Sequence, residues 1–263
     1  MSKSKILYAA AGILAGFVIG FAFANAVNSR QQGSLRAELQ HARSSTQKTG
    51  DAFASSSRLP IDETNGRALS EDEIQDSIKT ADARPLDLYL QKNLGLALYA
   101  YQTRTQDTAS AAFLPDVARL LKRAVVANPK DREAIVALGN VLFDIAQKNP
   151  EASGFNDARV YYEKALALQS NDANTRTDLG LTYFLGRPSD PQRAIIEYRR
   201  ALAIDPRHQQ ALQNLAAALI KTGQREEALK RLDELQSMNA NNPALPDLRA
   251  QLQQSRNGRE EQH

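Results

Sequence analysis

Apolar positions fall into three regimes along this chain. Residues 6–27 read ILYAAAGILAGFVIGFAFANAV, apolar without a charge and with Tyr8 and Asn25 the only markedly polar side chains. At about 1.5 Å per residue this makes a helix of roughly 33 Å, enough to cross a hydrocarbon core of about 30 Å. Residues 29–69 are rich in Gln, Ser, Thr, Arg and Gly and too poor in large apolar residues to fold alone, so they are expected to form a flexible linker. From Ser70 onward the apolar residues recur at helical period. Ser70-Glu71-Asp72-Glu73 has the spacing of a capping box, and Ile74, Ile78 and Ala81 follow on one face, which predicts a lead-in helix within residues 70–87 that stops before Pro85.

The remaining pattern repeats. Leu94-Gly95 returns as Leu138-Gly139, as Leu179-Gly180 and, weakened, as Leu215-Ala216, each followed three residues later by a large apolar residue: Leu98, Leu142, Tyr183 and Leu219. A second stripe follows each: Val117, Leu121, Ala124; Ala158, Tyr162, Ala165; Ala194, Tyr198, Ala201; and Ala228, Leu232, Leu235. The step from the start of a second stripe to the next repeat leucine is 21 residues each time, from Val117 to Leu138, Ala158 to Leu179 and Ala194 to Leu215. The other half of the period varies, so extra residues collect in the turn within each hairpin. There QTRTQDTASAAFLP, QKNPEASG and GRPSDP carry turn chemistry, and surface loops are expected.

Leu-Gly-x-x-Tyr, then Ala-x-x-x-Tyr-x-x-Ala and Pro, as in Leu179 to Pro206, resembles a tetratricopeptide repeat. Behind the apolar segment, read as an N-terminal transmembrane anchor (1–28), the linker and the lead-in helix, the resemblance implies a right-handed α-solenoid over 88–242, so that the chain is all-α. Its four hairpins would span 88–131, 132–172, 173–208 and 209–242, followed by a capping helix at 243–254 and a disordered tail at 255–263. The early Trp of each repeat is missing and the first three turns are enlarged. The family's first helices line a concave groove. Here that strip would consist of Lys92, Leu96 and Tyr99; Val136, Asn140 and Phe143; Thr177, Leu181 and Phe184; and Gln213, Ala217 and Ile220. Such a strip implies a protein or peptide partner, with Tyr99, Phe143 and Phe184 either partly exposed anchors or ordinary inter-repeat core. Family members that bind chaperones grip a terminal carboxylate with Lys, Asn and Arg. Lys92 and Asn140 match part of that set, but Thr177 and Leu181 stand where further cations would be wanted, which argues against a clamp.

Composition narrows the chemistry. The 263 residues contain no Cys and no Trp, which removes disulfides, thiolate metal sites and a cysteine nucleophile. A net charge of +3 with no run of basic residues argues against a nucleic-acid partner. His41, His208 and His263 are scattered, and the Lys-Thr-Gly at 48–50 and 221–223 lacks the glycine a phosphate loop requires, so no enzyme, metal or cofactor is expected. Lys3 and Lys5 ahead of the apolar segment balance Arg30 and Arg36 behind it. The short leading tail and its free amine favour an inside amino terminus and a body exported to the periplasm of a bacterium, with a cytoplasm-facing body the alternative. Cleavage after Ala24 would instead give a secreted binding module, although the apolar stretch exceeds a normal signal-peptide core. Gly12, Gly16 and Gly20 share a helix face that could pair with a second copy. Together these features predict a membrane-anchored scaffold, in a setting such as assembly of an envelope complex. The body is similar to the repeat domains of cytochrome c maturation factors, and the layout to translocon-associated periplasmic chaperone partners.

Overall fold

The computed structural model describes residues 69–105, 110–148 and 154–260. The apolar segment 6–27, its glycines and linker residues 29–68 lie outside that range. Among the described residues all regular structure is helical, and no helix is long and apolar enough to cross a membrane. The helices are α1 (Glu71–Asp82), α2 (Leu88–Thr105), α3 (Leu114–Ala127), α4 (Arg132–Lys148), α5 (Gly154–Leu168), α6 (Ala173–Leu185), α7 (Pro191–Ile204), α8 (Gln209–Lys221), α9 (Arg225–Met238) and α10 (Leu245–Glu260). The chain divides into two compact units between Asp190 and Pro191, so that α1–α6 belong to one and α7–α10 to the other.

In the first unit, α1 starts where Ser70 Oγ accepts from Glu73 N–H (3.2 Å) and Glu73 Oε2 accepts from Ser70 N–H (2.8 Å). Carbonyls at its C-terminal end and just beyond it are met from α2. Fully buried Gln91 donates through Nε2 to Ala81 O (2.7 Å) and Arg84 O (3.0 Å). Asp82 is held by Arg119 and Arg123 of α3, the latter at 2.7 Å. Linker residue Leu69 is already fixed, its N–H donating to Tyr101 Oη at 3.0 Å.

Helices α2 and α3 form one hairpin, α4 and α5 the next, and α3 packs on α4 as α5 does on α6. The repeat leucines Leu94, Leu138 and Leu179 are buried, as are the second-helix stripes. Gly95 and Gly139 stand where their hairpins are tight. A Cβ on Gly95 would lie 2.8 Å from Leu121 Cγ, and one on Gly139 would lie 2.8 Å from Tyr162 Cε1. The first enlarged turn departs from the surface loop expected of it. A short 3₁₀ turn (Ser110–Phe113) leads into α3, and Phe113 and Leu114 are buried in the same core as Leu120. Two large apolar side chains in a polar loop gain more by entering the core than by staying solvated.

The second unit contains a tighter turn. Thr222 ends α8 and Gly223 takes φ 77°, letting Gln224 N–H reach Leu219 O (2.8 Å) and Gly223 N–H reach Ile220 O (3.1 Å), a closure that leaves no room for a long loop. Arg199 of α7 pairs with Glu227 of α9 (2.6 Å), and Arg249 of α10 pairs with Asp233 of α9 (2.7 Å). Leu245, Leu248 and Leu252 are buried, so α10 closes the last apolar face. The helix runs to Glu260 rather than stopping at Gln254, so residues 255–260 are helical where a disordered tail was expected.

Candidate functional site

Each first helix starts on a side chain that repeats with the fold. Asp87, Asp131, Asp172 and His208 stand seven residues before the repeat residues Leu94, Leu138, Leu179 and Leu215. Each accepts a hydrogen bond from the N–H three residues on: Leu90 (3.0 Å), Ala134 (3.1 Å), Thr175 (3.0 Å) and Ala211, the last onto His208 Nδ1 (3.1 Å). In the first unit these caps also tie neighbouring first helices together. Lys92 of α2 reaches Asp131 (2.7 Å) and Glu133 (3.0 Å), and Arg132 of α4 pairs with Asp172. Lys92 is therefore committed to the start of α4, which removes the one cation a carboxylate clamp could have used.

The strip along the first helices is partly open. Lys92, Leu96, Tyr99, Val136 and Asn140 are half-buried, whereas Phe143, Thr177, Leu181 and Phe184 are buried. Phe143 is 3% exposed and packs edge-on against Phe155 (ring centroids 5.3 Å apart, planes at 68°), so it is core and not an exposed anchor. Phe184 is likewise buried, at 6%. Tyr99 alone of the three aromatics keeps a partly open face. In the second unit Gln213 and Ala217 are buried and Ile220 is half-buried on α8.

Two carboxylates that the repeat spacing does not mark stand among the half-buried strip residues of the first unit. Asp144, one position beyond Phe143 on α4, accepts from Tyr99 Oη of α2 at 3.0 Å. Asp178, one position beyond Thr177 on α6, is half-buried, and neither a cation nor a donor reaches it among the described residues. From below, Tyr162 of α5 donates through its hydroxyl to Asn140 Oδ1 (2.9 Å). Burial pushes the Asp144 carboxyl up to about 6, against the pull of the Tyr99 hydrogen bond and the Lys148 charge. Burial, reinforced by the nearby Asp144 charge, pushes Asp178 up to about 7. The same negative pair, after burial itself, raises Tyr162 well above its ordinary range. The signal in the sequence was the acid next to each strip residue, since a helix face wide enough to line a groove includes the neighbouring position as well. Among the described residues no group of three or more His, Asp and Glu is arranged to hold a metal.

A tetratricopeptide repeat family model matches residues 188–252. Solved structures extend the likeness over most of the body. A crystal structure of MamA is 23% identical, covers 65% of this chain and 89% of its own, and superposes with a TM-score of 0.51. MamA 41-end from Desulfovibrio magneticus RS-1 is 18% identical, with coverages of 65% and 85% and a TM-score of 0.52. The fold is that of tetratricopeptide-repeat proteins. At these identities the likeness carries the fold alone, so the chemistry of the strip has to be argued from its own residues. No curated protein matches the sequence.

Proposed function

We propose that this protein is a membrane-anchored tetratricopeptide scaffold that captures a protein partner along its first helices. The observation that carries the reading is the strip itself. Leu96, Tyr99, Val136 and Asn140 lie on consecutive first helices and are only half-buried, although the core beneath them is closed by Leu94, Leu98, Leu138 and Val141. Leu96, Tyr99 and Val136 pack against the core on one side and keep part of their surface open on the other, in register on neighbouring helices, which suits a bound peptide segment. Replacing Leu96 and Val136 together by Ser should then reduce partner capture at least tenfold in a quantitative pull-down at a temperature where circular dichroism shows the variant still folded, since both side chains also pack on the core and their loss lowers the melting temperature. Undiminished capture would move the binding site elsewhere.

The anchor rests on residues 6–27, whose length and lack of charge suit a single crossing, with the body on the periplasmic side. Carbonate washing of membranes tests it: the chain should stay in the pellet, and recovery in the supernatant with a new amino terminus at Asn25 would establish the secreted module instead. An anchor followed by a linker and a repeat body also supports a role in assembling or maturing an envelope complex, c-type cytochromes among them. Gly12, Gly16 and Gly20 would be the contact for a second copy, and Gly16→Leu should abolish any crosslinked dimer.

A further inference from the structure

In the first unit five half-buried aspartates are matched to cations. Asp82 has Arg119 and Arg123, Asp87 has Arg84, Asp116 has Arg119, Asp131 has Lys92 and Asp172 has Arg132. Asp144 and Asp178 differ from these five, and they stand near each other on the first-helix strip. Asp144 has only the Tyr99 hydroxyl, with Lys148 contributing its field from one turn along α4 and forming no ion pair among the described residues. Asp178 has no partner of either kind there. A carboxylate taken partly out of water without a counter-charge costs free energy that folding alone does not repay, and here two adjacent ones bear this cost at the strip where a partner would lie.

We propose that Asp144 and Asp178 together receive a lysine or arginine side chain from the partner's bound segment, so that the partner is a peptide with a basic residue among apolar ones. The inference rests on the reading of the first-helix strip as the binding face. The geometry favours a side chain over a small free cation. Leu96 and Val136 offer half-open apolar surface for the aliphatic stem of a lysine or arginine, and Tyr99 already directs its hydroxyl at Asp144, leaving the carboxylate oriented toward an incoming donor. A carboxylate-bearing peptide end would be repelled at the same place. Because both carboxyls are held above their ordinary range, a bound cation must displace protons. Affinity is therefore expected to rise between about pH 5 and pH 8, with Tyr99 of α2, Tyr162 of α5 and Lys148 of α4 the other titratable groups facing the pair.

The test uses the full chain in detergent micelles and a displayed library of random heptapeptides. Peptides selected on the native protein should be enriched several-fold in Lys or Arg. Replacing that residue by norleucine in a selected peptide should weaken binding at least tenfold, and the Asp144→Asn/Asp178→Asn variant should bind both versions alike. The variant removes two poorly paired charges, so it should melt no lower than the native protein, and lost discrimination cannot be ascribed to unfolding. Selected peptides without basic enrichment, or a norleucine version that binds equally well, overturn the cation site and leave the strip as a neutral binding face. Selected peptides that bind undiminished to the Leu96→Ser/Val136→Ser variant would overturn the reading of the strip itself.

Discussion

Replacing Gly139 by Ala tests how the hairpins close. In an ordinary helix interior this exchange stabilises by about 1 kcal/mol, because the unfolded chain loses backbone freedom. Here the added methyl would lie 2.8 Å from Tyr162 Cε1 and 3.0 Å from Cδ1, whereas carbon atoms at ease stand about 3.5–4.0 Å apart. The ring has nowhere to go, being 1% exposed with its hydroxyl held by Asn140 at 2.9 Å. Overpacking of this kind costs about 1–3 kcal/mol, so the net effect should be a loss of about 1 kcal/mol, and Gly139→Leu should lose more than about 3 kcal/mol. Urea unfolding followed by far-UV circular dichroism measures both. The decisive comparison is the Tyr162→Leu background. With the ring gone, Gly139→Ala should become neutral or stabilising, giving a coupling energy of about 1–2 kcal/mol between the two positions. If Gly139→Ala stabilises the native protein by the full helix-propensity gain and shows no coupling to Tyr162, the close contact between α4 and α5 is refuted.

Three further outcomes are expected. Asp178→Asn should stabilise the fold, more at about pH 8 than at about pH 5: a carboxyl raised to about 7 binds its proton more tightly when folded, so stability falls as pH rises from about 4 toward 7. Full conversion of that shift gives about 4 kcal/mol, and partial exposure of the side chain reduces the expected gain to about 2 kcal/mol, measured by urea titration at the two pH values. Phe113→Ala should cost about 3 kcal/mol or more because the ring is in the core, and a change below about 1 kcal/mol on urea titration would return the turn to the surface. His208 caps α8 through an unprotonated Nδ1, and burial holds its pKa below the ordinary histidine value, so its contribution is present above about pH 7 and is lost as pH falls through the lowered value. The protection factor of the Ala211 amide, its exchange rate relative to an unstructured chain at the same pH, should fall over that interval in the native protein, whereas in His208→Asn, whose cap does not titrate there, it should stay flat.

The hairpins could be read from the sequence because leucine–glycine pairs and Ala-aromatic-Ala stripes serve packing, and packing imposes a period. Val117, Tyr162 and Tyr198 are buried because a large side chain at that spacing has nowhere else to face. The capping box at Ser70 was equally legible, since it depends on residues only three apart. Other features depended on particular neighbours. Phe113 and Leu114 sit in a stretch with the composition of a loop, and only the space beneath α2 and α3 decides that they are buried. The caps Asp87, Asp131, Asp172 and His208 did carry a signal, a fixed seven-residue offset from each repeat leucine, but one that mixes two residue types. Asp144 and Asp178 were hidden for a third reason: whether an aspartate has a counter-charge depends on which long side chains elsewhere have already been used, as Lys92 has by Asp131 and Glu133.

The account's central claim is that the partner lies along the first helices of the unit containing α1–α6. Photo-crosslinking in native membranes tests it most directly, with a short-reach photoreactive residue placed at Asn140 on α4 or, as the control, at exposed Val160 on α5. The account predicts a discrete crosslinked protein from position 140, absent from position 160 and diminished when Asp144 and Asp178 are both Asn. A partner that crosslinks from position 160 and not from position 140 would place recognition on the second helices and contradict it.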